Sequence, residues 1–233
     1  MHDHKSGLPE ATPRQTYAPR YHKRVALSTS SPTTLTPRPT PVSFRQARVY
    51  LQCLSAFTAI GLVYSLTTWG MVPVWQRVPV VNVGLMAHLT GHLVFGAMVA
   101  VSLRRFDLIA LTAAMSMLVD IDHVGTVLGW PTVFRSGHSV GFALAAPLLM
   151  AWLATRVDFG VRPITAGCLA LAATLAHISW DTLTAPGVPL WLPVSVDVTP
   201  LSLPWAVALE VAGVVAVWVA AAAERRQKPV CAG

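Results

Sequence analysis

The chain has 233 residues, 54% of them hydrophobic and only 12% charged, with a mean hydropathy of +0.55. A soluble domain carries about 25% charged residues, so a water-soluble enzyme is excluded and a membrane protein is expected. The net charge of +7 does not indicate a nucleic-acid partner, because the basic residues flank apolar segments instead of forming one patch.

Residues 1–46 are rich in Pro, Thr, Ser and Arg, with Pro9, Pro13, Pro19, Pro32, Pro37, Pro39 and Pro41 interrupting any periodicity. Such a segment buries no core and is expected to be a disordered basic tail. It is too long and polar for the start of a signal peptide. Apolar segments then follow at 49–72, 82–102, 108–119, 140–154, 164–180 and 205–223. They predict an all-α polytopic membrane protein with six transmembrane helices, its membrane domain spanning 47–226 and a short tail at 227–233. The third segment has twelve residues, about 18 Å of helix against a hydrocarbon core of about 30 Å. It should therefore end below the membrane surface. The stretch 124–137, with Gly125, Gly129, Pro131 and Gly137, suits a re-entrant loop between spans three and four, since irregular backbone at that depth must line protein or water. Cys53, Cys168 and Cys231 have no redox or metal-binding spacing and read as small packing residues.

Orientation follows from the connections. Eight basic residues precede position 49, and Arg104, Arg105, Arg156, Arg162, Arg225, Arg226 and Lys228 fall on the same side. Only Arg77 and Arg135 fall on the other. The positive-inside rule then predicts a multi-pass inner (plasma) membrane protein with both termini cytoplasmic.

Within this apolar sequence lie His88, His92, Asp120, Asp122, His123, His138, His177 and Asp181. Such residues cost roughly 2.5 kcal/mol or more each inside a membrane and usually mark function. The expected topology puts all eight in the outer half. Histidine and aspartate without lysine or cysteine form the ligand set of a hydrolytic divalent-metal centre. His177 and Asp181 are four residues apart and share a helix face, so they can hold one cation; otherwise His177 packs between helices and Asp181 caps a turn. If the backbone is extended at Asp120-Ile121-Asp122-His123, both acids project the same way. One would then bind metal while the other bridges two ions or orients a histidine, and either, if free of metal, could be the general base. The alternative is a polar helix cap. Arg135 precedes His138 by three residues and suits a phosphate-type oxyanion, or else anchors a lipid headgroup. His88 and His92 cannot be distinguished by spacing alone.

Gly91-His92-Leu93-Val94-Phe95, Asp120-Ile121-Asp122-His123, His138-Ser139, and His177 with Asp181-Thr182-Leu183-Thr184 and Pro186-Gly187-Val188-Pro189-Leu190-Trp191 together resemble the YdjM-like family. Its members are described as inner-membrane-associated, metal-dependent hydrolases and as LexA-binding. The resemblance covers 88–193 and favours His92, in its GHLxF context, over His88. It departs at Val133-Phe134-Arg135-Ser136-Gly137-His138-Ser139, where the family has a fuller HRGxTHS block. One histidine is missing and the arginine lies one residue nearer. The ligand order is also similar to zinc-dependent phospholipases C and S1/P1-type nucleases, but their further HxxxE helix has no counterpart here. One or two ions are therefore expected.

The sequence thus predicts a membrane-bound metal-dependent hydrolase. Its metal ligands would be drawn from His92, Asp120, Asp122, His123, His138, His177 and Asp181, with Asp120, Asp122 and Arg135 in catalysis. Zinc is the expected ion, and the substrate a lipid-like phosphate ester at the outer leaflet of the bilayer. A transporter or proton relay is the alternative, and predicts acids near the midplane with access from both sides. A non-catalytic membrane regulator would instead put the active surface in the cytoplasm.

Overall fold

The computed structural model describes residues 44–68, 83–123, 135–185 and 187–225. They form six α-helices: α1 (Phe44–Thr68), α2 (Val83–Ala100), α3 (Phe106–Leu118), α4 (Val140–Leu153), α5 (Pro163–Thr184) and α6 (Leu203–Arg225). Three 3-10 turns accompany them, at Val101–Leu103, Val119–His123 and Ser136–His138. Among the described residues the only extended pairing is one antiparallel bridge, Val188 with Thr199, between α5 and α6.

Each apolar segment corresponds to one helix. α1 starts at Phe44, inside the expected tail, and α5 continues four residues past the expected end at 180, so Asp181 is helical. Residues 1–43, Arg77, most of the expected re-entrant loop (124–134) and the tail at 227–233 lie outside the described residues. Four helical stretches are long and apolar enough to cross a membrane: Phe44–Thr68, Met86–Leu103, Pro163–Thr184 and Leu203–Arg225. α3 and α4, at 13 and 14 residues, cover only about 20 Å each.

α5 is the axis of the bundle. It is 72% buried, against 28%, 22% and 28% for the spans of α1, α2 and α6. Its Ala166, Ala170, Ala172, Ala173 and Ala176 are all buried; small side chains let neighbouring backbones approach where helices gain no hydrophobic drive from water. Phe57, Met115, Phe142, Met150 and Leu169 fill the space around them. The outer surface is apolar, with Leu66, Val94, Met98, Leu148, Trp152, Val211, Val215 and Trp218 all exposed. Water would penalise so large an apolar exterior, whereas hydrocarbon would not.

Successive helices run antiparallel. α1, α3 and α5 end where α2, α4 and α6 begin, as the Ser136–Ser65 hydrogen bond (2.7 Å) and the Ser179–Ala206 carbonyl bond (2.9 Å) record. At the opposite end Arg105 pairs with Asp107 at 2.7 Å, and Tyr50 donates to the same carboxylate. There too Thr165 donates to Glu224 at 2.6 Å. Every intramembrane histidine and aspartate singled out from the sequence lies at the first end.

Candidate metal centre

α2 supplies His88 and His92, one turn apart, with their Nε2 atoms 3.1 Å from each other. Gly91 brings them to the centre. A Cβ there would lie 2.1 Å from Cε2 of Trp180, so only glycine lets that indole rest on the α2 backbone. α5 supplies His177 and Asp181 on one face, as their spacing predicts. His177 Nδ1 is 2.7 Å from the Ser116 carbonyl at the end of α3. A carbonyl only accepts, so Nδ1 carries the proton and Nε2 keeps its lone pair for the cluster.

The backbone at 119–123 is a 3-10 turn that continues α3, so the condition of an extended segment is not met. With about three residues per turn, Asp120 shares a face with His123, while Asp122 points elsewhere. Asp120 Oδ2 is 3.2 Å from His92 Nε2, and its Oδ1 lies 3.5 Å from Nε2 of both His138 and His177. His123 Nδ1 is 3.7 Å from the same Oδ1. Asp122 instead accepts the Gly137 amide at 2.9 Å and stands 3.5 Å from His138 Nδ1. It thus stands beside His138 and outside the groups of donors that face one another across the cluster. A Cβ at Gly137 would be 2.8 Å from Val119 Cγ1, which is why the turn bearing His138 needs glycine. Ser139 closes that turn by accepting from the Phe142 amide at 3.1 Å and capping α4.

Asp181 completes the arrangement. Its Oδ2 is 2.7 Å from His138 Nε2 and 3.5 Å from His177 Nε2, and its Oδ1 is 3.3 and 3.4 Å from Nε2 of His88 and His92. These edges are those of a ligand cage: donors bound to one ion at about 2.0–2.1 Å with tetrahedral angles stand about 3.3 Å apart. His92, His138, His177 and Asp181 are buried, while the side chains of His88 and His123 are 27% and 21% exposed. The centre therefore opens on the His88 and His123 side. Asp120 Oδ1 and Asp181 Oδ1 are buried without a hydrogen-bond partner. Buried carboxylate oxygens without a hydrogen bond are costly, and a divalent cation would remove that cost. The donor set fits such an ion.

The structure thus brings together His92, Asp120, His123, His138, His177 and Asp181, and adds His88 on equal terms with His92. Asp122 stands behind His138. Arg135 donates to the Gly187 carbonyl at 3.3 Å, close enough to His123 to interact with it electrostatically. Sequence reasoning did not find the Ser116 carbonyl or the Ser65–Ser136 bond, since serines in apolar helices commonly bond to their own backbone, as Ser65 also does to Gly61. It also passed over Glu210 in α6, whose buried carboxylate oxygens lack hydrogen-bond partners. The rule that flags intramembrane acids would have marked it.

No curated protein and no solved structure matches the chain. The sequence model of a family described as YdjM inner membrane protein matches residues 83–232, a stretch that contains every residue of the centre. The chain belongs to the YdjM inner membrane protein family.

Proposed function

We propose that this chain is a multi-pass inner-membrane hydrolase that uses its His/Asp centre, loaded with a divalent metal such as zinc, to cleave a lipid-like phosphate ester at the outer leaflet. The observation that carries the reading is the pair of buried, unpartnered carboxylate oxygens on Asp120 and Asp181 facing four imidazole nitrogens. Orientation is supported by charge: among the described residues Arg45, Arg48, Arg104, Arg105, Arg156, Arg162 and Arg225 all lie at the far end, and only Arg135 lies at the centre's end. The positive-inside rule then turns the centre away from the cytoplasm. The shortness of α3 and α4, 13 and 14 residues, supports a centre recessed below the membrane surface.

A cation held there supplies Lewis acidity toward a phosphoryl oxygen and acidifies water. The protein does the rest. His177 is fixed in one tautomer by the Ser116 carbonyl, and Asp122 lies 3.5 Å from His138 Nδ1. His123, on the open edge with Asp122 Oδ1 3.4 Å from its Nε2, is placed to move a proton to or from a bound ester. Arg135, which donates to the Gly187 carbonyl, would offer further guanidinium donors to a phosphate oxygen. A transporter or proton relay would use the same His/Asp cluster and predicts access to it from both sides of the membrane.

The test is metal analysis and phosphoesterase assay of the detergent-purified chain, using p-nitrophenyl phosphate and short-chain phosphatidic acid, with chelation and His177→Ala as controls. Bound metal and chelator-sensitive hydrolysis are expected. A folded wild type that hydrolyses these esters without metal overturns the proposal, as does a metal-loaded protein inert toward them.

A further inference from the structure

We infer that the centre is built for two cations bridged by Asp120 and Asp181, with His88 a ligand of the second; this rests on the metal-centre reading above. Ring planes carry the inference. An imidazole nitrogen donates a lone pair lying in the plane of its ring, so one ion can serve two rings only where their planes cross near it. His88 and His92 cross at 84°, and His138 and His177 at 73°. In each pair the Nε2 atoms are 3.1 Å apart, the separation expected of two ligands on one ion. Between the pairs the geometry is different. His92 and His177 stack at 3.7 Å with only 9° between their planes. Two nearly parallel planes that far apart share no point at which one ion would lie in the plane of both rings. These four histidines therefore address two ions, two rings each, while His123 stacks on His138 with 7° between their planes and is not assigned to the same ion.

The carboxylates divide in the same way. Asp181 turns Oδ1 to His88 and His92, and Oδ2 to His138 and His177. Asp120 turns Oδ2 to His88 and His92, at 4.0 and 3.2 Å, and Oδ1 to His138 and His177. Each half thus receives two nitrogens and one oxygen from each acid. Splitting a carboxylate across two ions is the arrangement of two-metal hydrolytic sites, whose ions stand about 3.5–4 Å apart and clamp one phosphoryl group between them. Two divalent cations against two bridging carboxylates leave net positive charge, complementary to a phosphate. His88 is also the more exposed member of its pair. The opening is thus bordered by His88 of one half and by His123 stacked on His138 of the other.

The test is the metal stoichiometry of the full-length, detergent-purified chain reconstituted with Mn²⁺ or Zn²⁺ alone, with electron paramagnetic resonance of the Mn²⁺ form. Two ions per chain and a spin-coupled signal are expected. His88→Ala and His138→Ala should each fall to one ion and lose the coupling, and Asp181→Ala should lose it as well. Two ions retained in His88→Ala would remove that residue as a ligand and overturn the assignment. One uncoupled ion in the wild type overturns the two-cation centre but leaves the metal hydrolase standing; no bound ion overturns both. Because the wild-type signal needs no substitution, a variant that fails to fold does not remove the test.

Discussion

Adding one methyl group at position 91 should empty half of the centre. A Cβ built on Gly91 would stand 2.1, 2.3 and 2.5 Å from three atoms of the Trp180 indole. Ordinary carbon contacts are about 3.5–4.0 Å, so α2 and the ring must separate by about 1.5 Å. The ring is rigid and packs on Phe95 at 5.1 Å between centroids, so the strain passes largely into the α2–α5 spacing. Overpacking of this kind costs about 1–3 kcal/mol, which a domain stable by about 5–15 kcal/mol survives. The centre has far less tolerance. His92 is the next residue and His88 lies one turn back, so both move with Gly91, while metal–ligand distances must hold to about 0.2 Å. Gly91→Ala should thus remain folded and monodisperse, keep the ion of the His138 half and lose that of the His88 half. Hydrolysis should fall about 100-fold or more, the cost of an ångström-scale misplacement. Adding Trp180→Ala removes the clashing ring and should recover the lost ion. Metal analysis by mass spectrometry alongside size-exclusion chromatography measures this. A Gly91→Ala protein with wild-type metal content and turnover would refute the idea that this contact sets the geometry.

Arg135→Ala should leave metal content unchanged and lower turnover on phosphate esters by about 10- to 150-fold, the value of one charge-assisted contact of about 1.5–3 kcal/mol. Arg135→Lys should recover only part of it, because lysine cannot make the paired contact; unchanged activity in Arg135→Ala returns the residue to headgroup anchoring. Asp122→Asn should weaken metal affinity about 10- to 100-fold, as loss of a ligand's orienting partner does, whereas Asp120→Asn should abolish bridging; equal effects of the two in a metal titration would contradict their different positions. In a background with native cysteines changed to serine, Asp197→Cys should react with a membrane-impermeant thiol reagent from outside the cell and Thr155→Cys should not. The opposite labelling would invert the orientation.

The helices were legible because apolar length is a strong signal, and their bounds moved only where a boundary had no punctuation. α5 runs on to Thr184 because the residues after Trp180 carry no helix breaker before Pro186. The site residues were legible for a different reason: a histidine or aspartate in such a background has few alternative explanations. Their division of labour was less accessible. Asp120 and Asp122 are equivalent on paper, and only the 3-10 turn separates a residue facing the cluster from one facing Gly137. His88 and His92 share a helix face, and spacing cannot show that Trp180 lies against the glycine beside them. The parallel stacking of His92 on His177 is a contact between helices 85 positions apart in sequence, and no local pattern encodes it.

The same two short helices explain how the ligands come together. A helix that stops early leaves its last carbonyls without helical partners; α3 offers one of them, at Ser116, to His177, and its 3-10 extension carries Asp120 and His123 into the gap. α4 begins equally early, and the turn before it delivers His138. Longer helices at these positions would have filled with apolar side chains the volume the cluster occupies. Full-length α2 and α5 then bring His88, His92, His177 and Asp181 alongside at the same depth. The outcome is a polar cluster held between the long helices α2 and α5 and the ends of the short α3 and α4. On this argument, lengthening α3 by a turn of leucines after Leu118 should displace Asp120 and destroy the centre, while the same insertion at the far end, before Phe106, should spare it.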